Sequence, residues 1–114
     1  DTGKEGETIA VAYLRAKGYQ IVELNKKFGH AEIDIIAKDN DEYVFVEVKT
    51  RTSRRFGIPE ASVSGHKAHH LIRSVELYRA KHKILDKPCR IDVIAIEKDR
   101  ATGTHELRHL KAVL

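Results

Sequence analysis

The stretch Glu32–Arg51, EIDIIAKDNDEYVFVEVKTR, limits what this chain can fold into more than any other. Ile33, Ile35 and Ala37 alternate with Glu32, Asp34 and Ile36. After Asp39-Asn40-Asp41-Glu42 the alternation resumes as Val44, Val46 and Val48 against Phe45, Glu47 and Lys49. A period of two on both arms predicts two strands joined by a polar turn. A turn centred on Asn40-Asp41 opposes Ile33 to Val48, Ile35 to Val46 and Ala37 to Val44, which makes one face aliphatic and assigns it to a core. On the other face Lys38 meets Tyr43 and Ile36 meets Phe45 near the turn. Further out, Asp34 meets Glu47 and Glu32 meets Lys49.

That far end is where chemistry is expected. Directly opposed side chains have Cβ atoms roughly 4.5–5.5 Å apart, and like charges so placed repel. Lys49 can neutralise one carboxylate, but Asp34, Glu47 and Glu32 leave surplus negative charge that a divalent cation would relieve. Mg²⁺ takes oxygen ligands, commonly one or two carboxylates with water and substrate phosphate. The plainer reading is that these acids occupy the solvated face of a hairpin.

Ile33-Asp34 followed by Glu47-Val48-Lys49 resembles the bipartite D…(D/E)-x-K signature of the PD-(D/E)XK nuclease superfamily, which includes restriction enzymes and Holliday junction resolvases. The wider pattern is similar to the bacterial YraN-like family, an uncharacterised branch of that superfamily. It comprises Gly6-Glu7, Gly18-Tyr19, Asn25, Ala31-Glu32-Ile33-Asp34, Phe45 to Arg51, Phe56-Gly57, Lys67 and Arg90-Ile91-Asp92-Val93, and so spans nearly the whole chain. Ala31 departs from the glycine more usual before Glu-Ile-Asp, and the proline of the motif's name is absent. The resemblance implies a restriction endonuclease-like fold and raises Glu7, in the first helix, to a candidate metal or water ligand.

At 114 residues the chain suits one domain, 1–114. No apolar run approaches the ~20 residues that span a bilayer, and the N-terminus has no apolar core of a signal peptide. A lone cysteine, Cys89, makes no internal disulfide, so a reducing, cytoplasmic setting is expected. The net charge of +4 hides an asymmetry. From Lys49 to Lys87 ten Lys or Arg stand against three acids, and the rest of the chain is net acidic. A basic segment beside an acidic cluster suits an enzyme that attracts a polyanion while holding a cation; a solvated helix face accounts for Arg79, Lys81 and Lys83 equally well.

A first helix is predicted from about Lys4 to Lys17, stopped by Gly18, with Glu7, Ala10 and Leu14 on one stripe. Glu7 there also complements the helix dipole. Tyr19 to Leu24 reads as a strand and Asn25 to Ala31 as a polar loop, with Asn25 bonding nearby backbone. His30 in that loop is left out of the site. Thr50 to Glu60 reads as a loop whose Arg51, Arg54 and Arg55 suit phosphate oxygens. A second helix from about Ser64 to Lys83 carries Lys67, Leu71, Val75 and Tyr78 on one stripe, with Ile72 close by, and the resemblance implies that Lys67 faces the site. His66, His69 and His70 suggest zinc, but no Cys or further His completes a set, so no zinc is expected. Arg90 to Glu97 is an apolar strand in which Asp92 needs a partner, and Glu106 to Leu110 supplies a last strand.

The order of elements predicts an α/β domain, which the resemblance sharpens to a three-layer α/β/α arrangement with a central mixed five-stranded sheet. By the same resemblance Asp34, Glu47, Glu7 and the Val48 carbonyl would hold Mg²⁺, with Mn²⁺ as a substitute, and Lys49 would orient or deprotonate the attacking water. The expected reaction is phosphodiester hydrolysis of nucleic acid, DNA foremost, including branched or single-stranded forms. Arg51, Arg54, Arg55 and Lys67 would contact phosphates. The alternatives are a nucleic-acid-binding protein without catalysis and a protein–protein adaptor. Analogy with resolvases allows a homodimer, and no membrane partner is expected.

Overall fold

The computed structural model describes residues 2–53, 57–59 and 65–114. Helix α1 (Thr2–Ala16) leads into strands β1 (Gln20–Phe28), β2 (Ala31–Asp39) and β3 (Glu42–Arg51). Helix α2 (Gly65–Lys81) crosses to β4 (Cys89–Lys98), and β5 (His105–Leu110) follows. The five strands lie side by side in chain order. β3 and β4 run parallel, and every other neighbouring pair is antiparallel. This is an α/β fold with a five-stranded mixed sheet and two helices, in keeping with a restriction endonuclease-like architecture.

The helices cover opposite faces because β3 alternates. Val44 and Val46 pack with Ala10 and Leu14 of α1, Ile35, Ala37, Ile94 and Ile96. Phe45 points the other way, to Leu71, Val75 and Tyr78 of α2, with Ile36 and Ile91. β3 and β4 are covered on both faces, hence their nearly unbroken apolar runs. Each such buried side chain contributes about 1.5–3 kcal/mol. Ile72, expected close to the buried stripe of α2, is 38% exposed.

Gly18 ends α1 as its sequence position predicts. Its φ is 91°, its N–H donates to the Arg15 carbonyl at 3.0 Å, and the Tyr19 N–H donates to the Leu14 carbonyl at 3.0 Å. That double bond pattern satisfies the last free carbonyls and brings Tyr19 onto Leu14 in the core. α2 ends at Lys81, short of the expected Lys83, which takes a left-handed φ of 56°. Its expected N-cap Ser64 lies outside the described residues.

The β2–β3 turn has the expected register, Asp39 opposite Glu42 and Ile35 opposite Val46, with Asn40 at φ 57°. Two expectations nearby are corrected. Asn25 to Ala31 is not a loop: β1 runs on to Phe28, and only Gly29 and His30 separate it from β2. The stretch reads as loop because β1 is an edge strand, where polar residues such as Lys26 and Lys27 are at home. Thr50 and Arg51 likewise belong to β3 rather than to a loop.

Ile33 does not face Val48. It packs with Phe45 under α2, whereas Ile35 lies under α1, so the two-residue alternation of β2 breaks between them. The break coincides with Asn25 at φ 53° on the neighbouring strand and with the end of the β2–β3 ladder at Ile35 and Val46.

Asp92 is fully buried and paired. Arg90 Nε lies 3.1 Å from one carboxylate oxygen, His109 Nε2 2.7 Å from the other, and the Ala112 N–H donates at 2.9 Å. Arg90 also reaches Glu42 at 2.5 Å and Tyr19 Oη at 2.6 Å. This network ties β4, β5 and the C-terminal segment to the turn end of the hairpin, which is a structural role for Asp92.

Candidate functional site

Past Ile35 and Val46, the backbone ladder between β2 and β3 gives way to a side chain. The Val48 N–H donates to Asp34 Oδ2 at 2.8 Å. The carboxylate takes the place of a strand acceptor, and the gap so formed is where the predicted residues converge.

Asp34, Glu47 and Lys49 line one pocket of about 260 Å³, with Glu32 beside them and Lys67 on the α2 side. Glu47 stands close enough to Asp34 for its charge to act on the Asp34 carboxyl. Lys49 Nζ is 3.4 Å from Glu47 Oε1, both side chains being less than one-fifth exposed. Lys49 was expected opposite Glu32. It pairs with Glu47 instead, because β2 and β3 have parted by that point.

Glu7 arrives from α1, on the far face of the sheet. Its carboxylate and those of Glu32 and Asp34 each offer an oxygen within 4.8 Å of the others. Asn25 is no turn residue here; its side chain bonds Glu7. Burial is the largest influence on Glu7 and raises its pKa, which the Asn25 side chain lowers and the charges of Asp34 and Glu32 raise again.

Asp34 is the most perturbed acid of the group. Burial first, then the charge of Glu47, push it from 3.8 up to about 7, although the Val48 N–H favours its ionised form. A carboxyl held that high by its neighbours is a group whose ionised state lacks a cation. The donors are all carboxylate oxygens, which select hard divalent ions such as Mg²⁺ and Mn²⁺. The residues therefore fit the expected metal, with Glu32 as a further candidate ligand.

Among the expected phosphate contacts, Lys67 is exposed at the pocket rim. Arg51 is half-buried at the end of β3, one guanidinium nitrogen donating to the Thr50 carbonyl at 3.0 Å. Arg54, Arg55 and Phe56 lie outside the described residues, as does the side chain of His66.

Sequence reasoning left His30 and His70 on the pocket wall out of the site, and it counted Glu32 among the acids without making it a ligand. His70 was legible in part, since it follows Lys67 by three positions on α2. His30 was not, because its place depends on a turn mistaken for a longer loop. A wider hollow of about 570 Å³ at the β4–β5 turn is a weaker candidate. Its Lys98 is paired with Glu5 and its Glu97 with Arg108.

Residues 6–96 match the model of the family described as uncharacterised protein family UPF0102. The chain belongs to this family. A UPF0102 protein of Dehalococcoides mccartyi is 39% identical to it over 94% of this chain and 88% of its own length. Others from Geotalea uraniireducens, at 44% identity over 96% and 85%, and Chlorobaculum parvum, at 46% over 96% and 88%, are similarly close. The UPF0102 match takes in Glu7, Glu32, Asp34, Glu47, Lys49 and Lys67. Kinship and fold leave the chemistry to be argued from the site itself. Among the described residues no helix is long and apolar enough to cross a membrane.

Proposed function

We propose that this chain is a metal-dependent phosphodiesterase of the PD-(D/E)XK type, an endonuclease acting on nucleic acid, DNA foremost. The observation that carries the reading is Asp34, raised to about 7 by burial and by Glu47, in a pocket shared with Lys49.

Asp34 and Glu47, with Glu7, Glu32 and the Val48 carbonyl as further donors, would hold Mg²⁺ or Mn²⁺. Such an ion lowers the pKa of bound water and offsets charge on a phosphoryl oxygen. The protein's own groups supply the rest. Glu47 orients the Lys49 ammonium by their 3.4 Å ion pair. From there Lys49 stabilises the negative charge that builds on the phosphate as water attacks. Lys67 at the rim attracts the phosphates of the entering strand. The partly enclosed pocket strengthens each of these interactions relative to water.

The test is incubation of labelled single-stranded, duplex and four-way-junction DNA with wild type and Glu47→Ala in Mg²⁺ and in Mn²⁺. Wild type cleaves and the variant loses activity by two orders of magnitude or more, on the order of what one charge-stabilising group supplies. Cleavage undiminished in the variant would overturn the reading. Metal-dependent binding without cleavage by wild type would leave a nucleic-acid-binding protein of nuclease fold.

A further inference from the structure

We propose that His30 and His70 form a stacking surface for the nucleobase next to the cleaved phosphate, so that the site takes an unpaired strand in preference to an intact duplex. This rests on the phosphodiesterase reading and specifies the strand that the same site accepts.

The two rings come from different elements that line the pocket, His30 from the β1–β2 turn and His70 from α2. Their centroids are 5.1 Å apart with planes at 61°, and His69 continues the row 5.7 Å beyond. The arrangement is built. Ser74, one turn along α2 from His70, is fully buried, and its hydroxyl reaches the carbonyl oxygens of Phe28 and Ala31 on the two sides of the turn. Gly29, at φ 66°, supplies the left-handed residue of the short β1–β2 turn.

Other roles suit the rings less well. Among the described residues the close cluster of Glu7, Glu32 and Asp34 is made of carboxylate oxygens alone, and the histidines stand beside it. Both line the pocket that holds the acids and Lys49. A phosphate bound there would bring its own sugar and base against them. In a duplex the faces of that base are occupied by its neighbours. In an unpaired strand they are free to stack on side chains such as histidine.

The experiment is fluorescence anisotropy in EDTA with a labelled single strand and a duplex of the same sequence. The proteins are wild type, His30→Ala, His70→Ala and His70→Phe, with circular dichroism to verify folding and cleavage assayed in parallel with Mg²⁺. Wild type favours the single strand. Each alanine variant loses single-strand affinity by about tenfold and barely changes duplex affinity, and His70→Phe recovers most of the loss. Unchanged single-strand affinity in both alanine variants, an equal loss for duplex, or no recovery with phenylalanine overturns the proposal. If this pattern is found but wild type cleaves nothing, the phosphodiesterase reading fails and the stacking surface stands. If wild type cleaves duplex and single strand alike and the alanine variants do too, the reverse holds.

Discussion

The Val48 N–H meets the Asp34 carboxylate at 2.8 Å in the place where two strands would otherwise bond backbone to backbone. One side chain thus closes the end of the sheet and heads the acid cluster. The two tasks conflict, since the buried, crowded carboxyl is pushed up to about 7 and ionises against its surroundings.

Asp34→Asn is therefore expected to stabilise the metal-free protein at neutral pH while abolishing cleavage. The native pKa of about 7 exceeds the ordinary 3.8, so between them the folded state holds a proton that the unfolded state has lost. Wild-type stability falls as pH rises through that window, and the penalty is complete above it. The amide has no such penalty and can still accept from Val48. Partial solvation of the site reduces the gain to on the order of 1–3 kcal/mol. Urea denaturation should show the advantage at about pH 8 and its disappearance at about pH 4. A variant less stable than wild type at about pH 8 would contradict this electrostatic account.

Mg²⁺ must displace the same proton. Its affinity should climb with pH up to about 7, by about tenfold per unit for a single proton released. Calorimetry at about pH 6 in two buffers of different ionisation enthalpy measures the release directly. Wild type should give buffer-dependent heats, and Asp34→Asn should not. Buffer-independent heats in wild type would mean that Asp34 is already ionised or takes no part.

Asp92 is an acid of opposite character. Burial works against its charge, but His109, the Ala112 N–H and Arg90 outweigh that and hold its pKa below the ordinary 3.8. Stability from this group is present above the ordinary carboxylate value and is lost as pH falls through the lower native one. Asp92→Ala removes the buried acid that joins Arg90, His109 and the Ala112 N–H, so it should cost about 3–5 kcal/mol. Mg²⁺ affinity of the fraction that folds should be unchanged, because the network sits at the turn end of the hairpin. Thermal unfolding and metal titration of the variant test the two halves separately.

How much of this was readable in advance depended on whether position followed from period. The register from Asp39 and Glu42 to Ile35 and Val46, the Gly18 cap and the buried stripe of Leu71, Val75 and Tyr78 all follow from alternation or helical spacing. Asp34 and Glu47, which the register predicts to be opposed, line one pocket just past the end of the ladder. Period failed where the backbone departs from it. The left-handed Asn25 and the flip between Ile33 and Ile35 are departures that no window of residues announces. That irregularity is also what lets Glu7 of α1 reach acids that an ideal strand would have kept away, and it freed Lys49 to pair with Glu47 rather than Glu32.

Gly6 controls that last approach. It is buried in α1 directly against Thr50 of β3, and a Cβ at Gly6 would overlap the Thr50 hydroxyl. Gly6→Ala should push the start of α1 off the sheet, lowering stability by about 1–3 kcal/mol and drawing the adjacent Glu7 away from Glu32 and Asp34. The helix itself would gain up to about 1 kcal/mol from alanine, so a net loss identifies the contact as the cause. Thr50→Ala removes the clashing hydroxyl and should recover most of both stability and Mg²⁺ affinity in the double variant. The coupling is read from a double-mutant cycle monitored by denaturation and by metal titration. Additive effects would show that Gly6 does not set the distance between α1 and β3, and that Glu7 reaches the acid cluster by some other constraint.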